Sequence, residues 1–164
     1  MTAYRILFVC TGNICRSPTA EAVLRQKAEA RGWGGLIEVD SAGTHDYHIG
    51  AAPDSRSCEV AVVKGYRLEH LRGRMVQPSD FEHFDMLLAL DAGHASILSQ
   101  RAPAEHRAKV QLFLPYAGIE SPQEVADPYY GTMAGFEETL RLTERGCEGL
   151  LARLAKEQGW KAIA

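Results

Sequence analysis

The sequence predicts an α/β fold, a single domain over residues 1–164 built on a parallel sheet with helices on both faces. Strand-like and helix-like segments alternate along the whole chain, the pattern of a parallel sheet. Two runs, Arg5-Ile6-Leu7-Phe8-Val9 and Met86-Leu87-Leu88-Ala89-Leu90, are nearly continuously apolar, as strands buried on both faces are. The 164 residues suffice for one core and fall short of two.

The elements follow in order. After the first strand, a helix is expected from about Ser17 to Arg31, with Ala20, Val23, Leu24 and Ala28 on one face. Its start carries a hydroxyl cap at Ser17, proline at the first helical position and the acid Glu21 in the first turn. Gly32, Gly34 and Gly35 end it. Ile37 to Ser41 reads as a second strand, followed by the loop Ala42-Gly43-Thr44. Asp54 caps a helix that runs to about Lys64 and stops at Gly65. Asp91 stands at the carboxyl end of the Met86–Leu90 strand, where its simplest role is to cap a helix running to about Arg101. Lys109 to Phe113 reads as the last strand. A loop rich in proline and tyrosine then leads to a final helix, about residues 134 to 158, whose pattern Gly146 and Gly149 weaken. No repeat, low-complexity tract or linker interrupts the chain.

Bulk properties narrow the function. Apolar residues make up 46% and charged residues 24%, and the net charge is −3. With a pI near 6.1, nucleic acid is not the expected partner. No apolar run approaches the roughly 18 residues of a membrane span, so no membrane insertion is expected. Met1 to Tyr4 lead straight into the first strand, without the pattern of a secretory signal. The four cysteines form no zinc-like Cys-x-x-Cys pairs, and the six histidines are scattered. The cysteines read as thiols of a reducing, cytoplasmic compartment, with export without a signal peptide left open.

The chemistry lies in Cys10-Thr11-Gly12-Asn13-Ile14-Cys15-Arg16-Ser17, between the first strand and the first helix. A strand that ends in a loop and runs into a helix aims free N–H groups and the positive end of the helix dipole at one spot. An anion there, thiolate or phosphate, is stabilised. Arg16 at a helix start opposes the dipole, so a bound anion explains it better than a solvated surface does. A second cysteine six residues before an arginine, Cys147 to Arg153, lies inside a helical pattern with no strand before it. Cys147 reads as core packing, and so does Cys58. In open α/β sheets ligands bind beyond the carboxyl ends of the strands, where Cys10, Ser41 and Asp91 share one rim.

The stretch Val9 to Pro18, the segment Asp40-Ser41-Ala42-Gly43-Thr44 and the segment Asp127-Pro128-Tyr129-Tyr130-Gly131 together resemble the low-molecular-weight protein tyrosine phosphatases. The wording is similar to that of the bacterial, especially actinobacterial, branch, and the resemblance runs from the first strand to the last helix. It implies a three-layer fold with a four-stranded parallel sheet, and a two-step phosphate ester hydrolysis without metal or cofactor. Cys10 would attack phosphorus and form a phosphocysteine, Arg16 would grip two phosphate oxygens, and Asp127 would serve as general acid and then base. Because Asp127 must first donate a proton, activity is expected to peak at mildly acidic pH. Thr11, Gly12, Asn13, Ile14, Cys15 and Ser17 would surround the phosphate, with Ser17 also donating to the cysteine sulfur. Gly12 would allow a positive φ or a close approach. Asn13 and Ser41 match positions that hold the loop's shape by hydrogen bonding, with His70 a further member, and Tyr47, Tyr129 and Tyr130 match the pocket rim, where eukaryotic members often carry tryptophan at position 47. Such a pocket suits a phosphotyrosine ring and keeps phosphoserine out of reach. Cys15 matches a cysteine that can form a reversible disulfide with the nucleophile; packing beneath the loop is the equal alternative.

The expected partner is a phosphotyrosine-containing protein, a tyrosine kinase among the candidates, and the expected state a monomer or weak dimer. Three other functions compete with this reading. An arsenate reductase needs a further cysteine pair, and Gly65 to Gly146 contains no cysteine. A phosphoarginine phosphatase is suggested by Thr11 and opposed by the tyrosine pair. A phosphate-binding module without catalysis would need neither Cys10 nor Asp127. Without the resemblance, Asp127 before Pro128 reads as turn chemistry. His45, His48, His83, His94 and His106 read as surface or structural residues. Arg72 and Arg74 fit either a solvated loop or a guide for acidic peptides.

Overall fold

Among the described residues four strands, β1 (Tyr4–Cys10), β2 (Ile37–Gly43), β3 (Met86–Ala89) and β4 (Val110–Leu112), pair in parallel in the order β2-β1-β3-β4. The structure is a computed structural model and describes residues 2–161. The register sets Cys10 opposite Gly43 and Val9 opposite Ala89, so the strands end along one rim. This is the four-stranded sheet that the resemblance implies.

Among the described residues six helices surround it: α1 (Arg16–Ala30), α2 (Ser55–Val63), α3 (Pro78–His83), α4 (Ala92–Arg101), α5 (Phe113–Tyr116) and α6 (Met133–Gln158). Alternate residues of β1 divide the core into two layers. Ile6 and Phe8 pack with Ala20 and Leu24 of α1 and Leu150 and Leu154 of α6. Leu7 and Val9 pack on the opposite face with Phe81 of α3 and Leu98 of α4. All ten side chains are essentially sealed from water, and each of the larger ones stabilises the fold by about 1.5–3 kcal/mol.

Two helix starts follow the sequence. Asp54 caps α2 by accepting from Arg56 N at 2.9 Å, and Asp91 caps α4 by accepting from His94 N at 2.9 Å. The start of α1 differs. Its N-cap is Cys15, no side chain caps it, and no acid lies in the first turn. Ser17 is the second helical residue, and its hydroxyl is used elsewhere. The short elements α3, α5 and a 3₁₀ turn at Ala104–Lys109 replace stretches expected as loop or strand, and β4 is three residues long rather than five.

Helix α6 runs unbroken for 26 residues through Gly146 and Gly149. Both glycines answer to space. A Cβ on Gly146 would lie 2.4 Å from Phe113 Cζ, and one on Gly149 would lie 2.1 Å from the Ala117 carbonyl oxygen. The helix backbone therefore presses directly on α5 and the turn after it. Gly149→Ala should destabilise the protein by about 1–3 kcal/mol, although alanine is the better helix former by roughly 1 kcal/mol. Gly35→Ala, with nothing within 4 Å, should stay within about 0.5 kcal/mol of the parent. Urea unfolding of both variants checks this; an unchanged midpoint for Gly149→Ala would mean that α5 yields.

Candidate active site

The segment between β1 and α1 folds into a cradle because its carbonyls are tied outward. Thr44 N donates to Cys10 O at 2.9 Å, His45 N to Thr11 O at 3.1 Å, and Asp54 N to Ile14 O at 2.8 Å. Among the described residues, the amides of Thr11 to Cys15 donate to no protein acceptor. Asn13 makes the turn at φ 59°, the one left-handed residue other than glycine among those described. Gly12 has no positive φ. A Cβ there would lie 2.7 Å from His48 Cδ2, so that ring would have to shift. Gly43 is required more strictly, since its Cβ would meet the backbone at Thr11 O, 2.7 Å away.

A buried hydrogen-bond network stands behind the cradle. Asn13 Nδ2 donates to Ser17 Oγ and to Ser41 Oγ, both at 2.9 Å, and Asn13 Oδ1 accepts from Arg74 N at 2.9 Å. Ser17 Oγ lies 2.9 Å from Cys10 Sγ. Ser41 Oγ donates to Glu21 Oε1 at 2.7 Å, and Arg25 donates to Glu21 Oε2 at 2.6 Å. Burial raises the Glu21 pKa, and the bonds from Ser41 and Arg25 oppose that rise.

Arg16 is buried at the centre. Its Nη1 donates to Asp91 Oδ2 at 2.8 Å and to Val125 O at 2.9 Å. Its Nη2 lies 3.8 Å from Asp127 Oδ2 and 3.5 Å from both Thr11 Oγ1 and His94 Nε2. Burial works to raise the Asp91 pKa, but hydrogen bonds from His94 N–H and Arg16 outweigh it and hold the group below its ordinary value. Above Cys10 opens a cleft of about 390 Å³. Its walls bring together Thr11, Gly12, Ile14, Cys15, Arg16, Tyr47, Asp127, Tyr129 and Tyr130, which the sequence singled out, and add His48. Burial, with the nearby Asp54 carboxylate, pushes the Cys15 thiol up to about 12, so Cys15 is a neutral thiol.

Asn13, Ser17 and Ser41 stand behind the cleft, joined by hydrogen bonds, rather than on its wall. His70 does not join them. It is exposed and lines a separate surface hollow with Arg25 and Arg67, while the Arg74 amide and Glu21 complete the network. Arg74 is no free guide for acidic peptides either, because Asp40 and Asp80 hold its guanidinium at 3.0–3.2 Å. His94, expected at the surface or in a structural role, is buried with Nε2 2.8 Å from Thr11 Oγ1. Its place in the first turn after Asp91 was the one signal in the sequence that it faces the rim. Among the described residues, no group of three or more His, Cys, Asp or Glu side chains could hold a metal ion.

Burial, helped by the positive charge of Arg16, lowers the His94 pKa from 6.5 to about 4, against the opposing pull of Asp91 and Asp127. The unfolded imidazole takes up its proton near 6.5 and the folded one near 4, so the unfolded state binds more protons in between. Stability should therefore fall as the pH drops through that window, by about 2 kcal/mol at pH 5. Unfolding free energies at pH 7 and pH 5 should show this loss in the parent and much less in His94→Asn. Equal losses in the two proteins would assign the pH dependence to other groups.

Comparison with known proteins agrees with this geometry. Residues 5–159 match the family model described as low molecular weight phosphotyrosine protein phosphatase. A low molecular weight protein-tyrosine-phosphatase of Streptomyces coelicolor is 47% identical over 157 residues, covering 94% of this chain and 95% of that protein. A crystal structure of a protein tyrosine phosphatase from Entamoeba histolytica superposes with a TM-score of 0.91 at 36% identity, covering 95% of this chain and 99% of that one. YfkJ from Bacillus subtilis does so with a TM-score of 0.90 at 37% identity, over 96% and 98% of the two chains. By fold, by loop and by sequence, the chain belongs to the low-molecular-weight phosphotyrosine protein phosphatase family.

Proposed function

We propose that this protein hydrolyses phosphotyrosine in protein substrates through a phosphocysteine intermediate. The observation that carries the reading is the convergence of Cys10 Sγ, the free loop amides, the Arg16 guanidinium and the Asp127 carboxylate on one cleft. The substrate's phosphate oxygens accept from the loop amides and Arg16, which neutralise charge as the phosphoryl group moves. The Cys10 thiolate attacks phosphorus while the bond to the tyrosine oxygen breaks, and Asp127 gives that oxygen its proton. Asp127, now a carboxylate, takes a proton from water as the water attacks the phosphocysteine. Phosphate leaves, and the thiolate returns with the Ser17 hydroxyl beside it.

Tyr47, Tyr129 and Tyr130 at the mouth favour an aromatic leaving group, and nothing at the site favours arsenate reduction. Phosphorylated tyrosine kinases are among the substrates such a mouth suits. A cytoplasmic setting fits the four free cysteines, and a neutral Cys15 thiol lining the same cleft suits a reversible disulfide with Cys10. No helix among the described residues is long and apolar enough to cross a membrane.

With excess chelator present, p-nitrophenyl phosphate should be turned over by the parent, fastest on the acid side of pH 5 to 8. Cys10→Ser should lose roughly 10³-fold or more in kcat while still binding inorganic phosphate; normal turnover would end its assignment as nucleophile. Asp127→Ala should cost about 10²-fold or more on phosphotyrosine and much less on p-nitrophenyl phosphate, whose leaving group needs no proton. Equal losses on the two substrates would remove Asp127 as the acid.

A further inference from the structure

His94 is the one buried imidazole at the rim, and the hydrolytic scheme gives it no task. It lies in the first turn of α4, 4% exposed. Its Nε2 is 2.8 Å from Thr11 Oγ1 and 3.5 Å from Arg16 Nη2. Its Nδ1 lies 3.1 Å from Asp91 Oδ1 but out of line, so the atom is buried without a formed hydrogen bond.

These neighbours determine the tautomer. The positive charge of Arg16 disfavours a proton on the ring nitrogen that faces it, and the Asp91 carboxylate favours one on Nδ1. The ring proton then sits on Nδ1, toward Asp91, and the Thr11 hydroxyl hydrogen goes to Nε2. The hydroxyl oxygen keeps its lone pairs toward Arg16 Nη2, 3.5 Å away.

We propose that His94 is a positioning residue for phosphate capture, turning the Thr11 hydroxyl inward and steadying the free end of the Arg16 fork over the loop. This inference rests on the reading of the loop as a phosphate site. The two ends of Arg16 are held very differently. Nη1 is committed to Asp91 and Val125 by bonds of 2.8 and 2.9 Å. Nη2 has only long contacts, with Thr11 and His94 at 3.5 Å and Asp127 at 3.8 Å. A carboxylate in place of His94 would bind Nη2 firmly and compete with the incoming anion. A cation there would repel the guanidinium. A neutral acceptor orients Nη2 without competing, and the imidazole stays neutral because burial beside Arg16 depresses its pKa to about 4.

The test measures kcat and KM for p-nitrophenyl phosphate and the inhibition constant of inorganic phosphate. The proteins are the parent, His94→Leu, His94→Asn, Thr11→Val and the Thr11→Val/His94→Leu double variant. His94→Leu should raise KM and the phosphate inhibition constant by about five- to tenfold, the weight of one neutral hydrogen bond, with kcat much less affected. Thr11→Val should lose a similar factor, and the double variant no more than the larger single loss, because both changes break one contact. His94→Asn, whose amide oxygen can accept from Thr11, should recover most of the affinity. An unchanged inhibition constant in a folded His94→Leu protein overturns the assignment, and so do losses that multiply in the double variant. Should His94→Leu fail to fold, unchanged phosphate affinity in Thr11→Val overturns it equally. A parent that binds no phosphate at all would instead remove the phosphatase reading on which it rests.

Discussion

The site depends on holding Asn13 in a left-handed backbone conformation, which costs a residue with a side chain about 1–2 kcal/mol. Three hydrogen bonds hold it, and together they make the surrounding network directional. The two amide protons of Asn13 go to Ser17 and Ser41, so each hydroxyl has spent a lone pair and has one proton left to give. The proton of Ser41 goes to Glu21. The proton of Ser17 is left facing the sulfur of Cys10 at 2.9 Å, with the Ala42 carbonyl as the longer alternative at 3.4 Å. One asparagine thus sets the turn that aims the loop amides inward and, through Ser17, sets a donor against the sulfur. Asparagine is suited to both tasks, since it tolerates the left-handed region better than most residues and carries two donors beside an acceptor.

Arg16 poses the opposite problem. A buried guanidinium is costly unless paired, but a fully paired one has nothing left for a phosphate. The structure divides the two demands between the two ends of the fork. Asp91 and the Val125 carbonyl satisfy Nη1, and Nη2 is left to weak, largely neutral contacts. Asp91 does this while also capping α4, so the helix start and the arginine share one carboxylate. A single substitution at Asp91 would therefore disturb helix and anion site together.

What was legible in the sequence was local. The strand before the loop, the helix after it and the caps Asp54 and Asp91 are set by neighbours a few residues away, and all appear where the pattern put them. Cys147, the decoy within six residues of an arginine, is sealed inside α6 as read. Illegible features were those settled by distant parts of the chain. Ser17 looked like a helix cap, but the demands of Asn13 and Cys10 on its hydroxyl prevail over capping. His94 looked like any surface histidine, because only the β1–β3 pairing brings α4 beside Thr11. Likeness alone places His70 in the network, whereas in this protein the main chain of Arg74 reaches Asn13. The glycines of α6 looked like weak points of a helix until α5, too short to read from sequence, proved to lie against them.

The placement of Asp127 follows from supports on either side of it. Before it, Val125 is buried, donates its N–H to Leu90 O at 2.9 Å and gives its carbonyl to Arg16. After it, Tyr129 lies under the guanidinium of Arg56 at 5.4 Å, and Arg56 is bound to Asp54. The Asp54 amide in turn donates to Ile14, so the start of α2 ties the Asp127 loop and the Cys10–Ser17 loop to one point. Asp127 itself, between these anchors, keeps 47% of its side chain exposed. That combination is what the proposed two-step hydrolysis would ask of one carboxyl group. It must meet the leaving oxygen at a definite place, which the flanking anchors provide. It must then meet a water molecule at the same place, and a carboxyl sealed in the interior would have no route for that water.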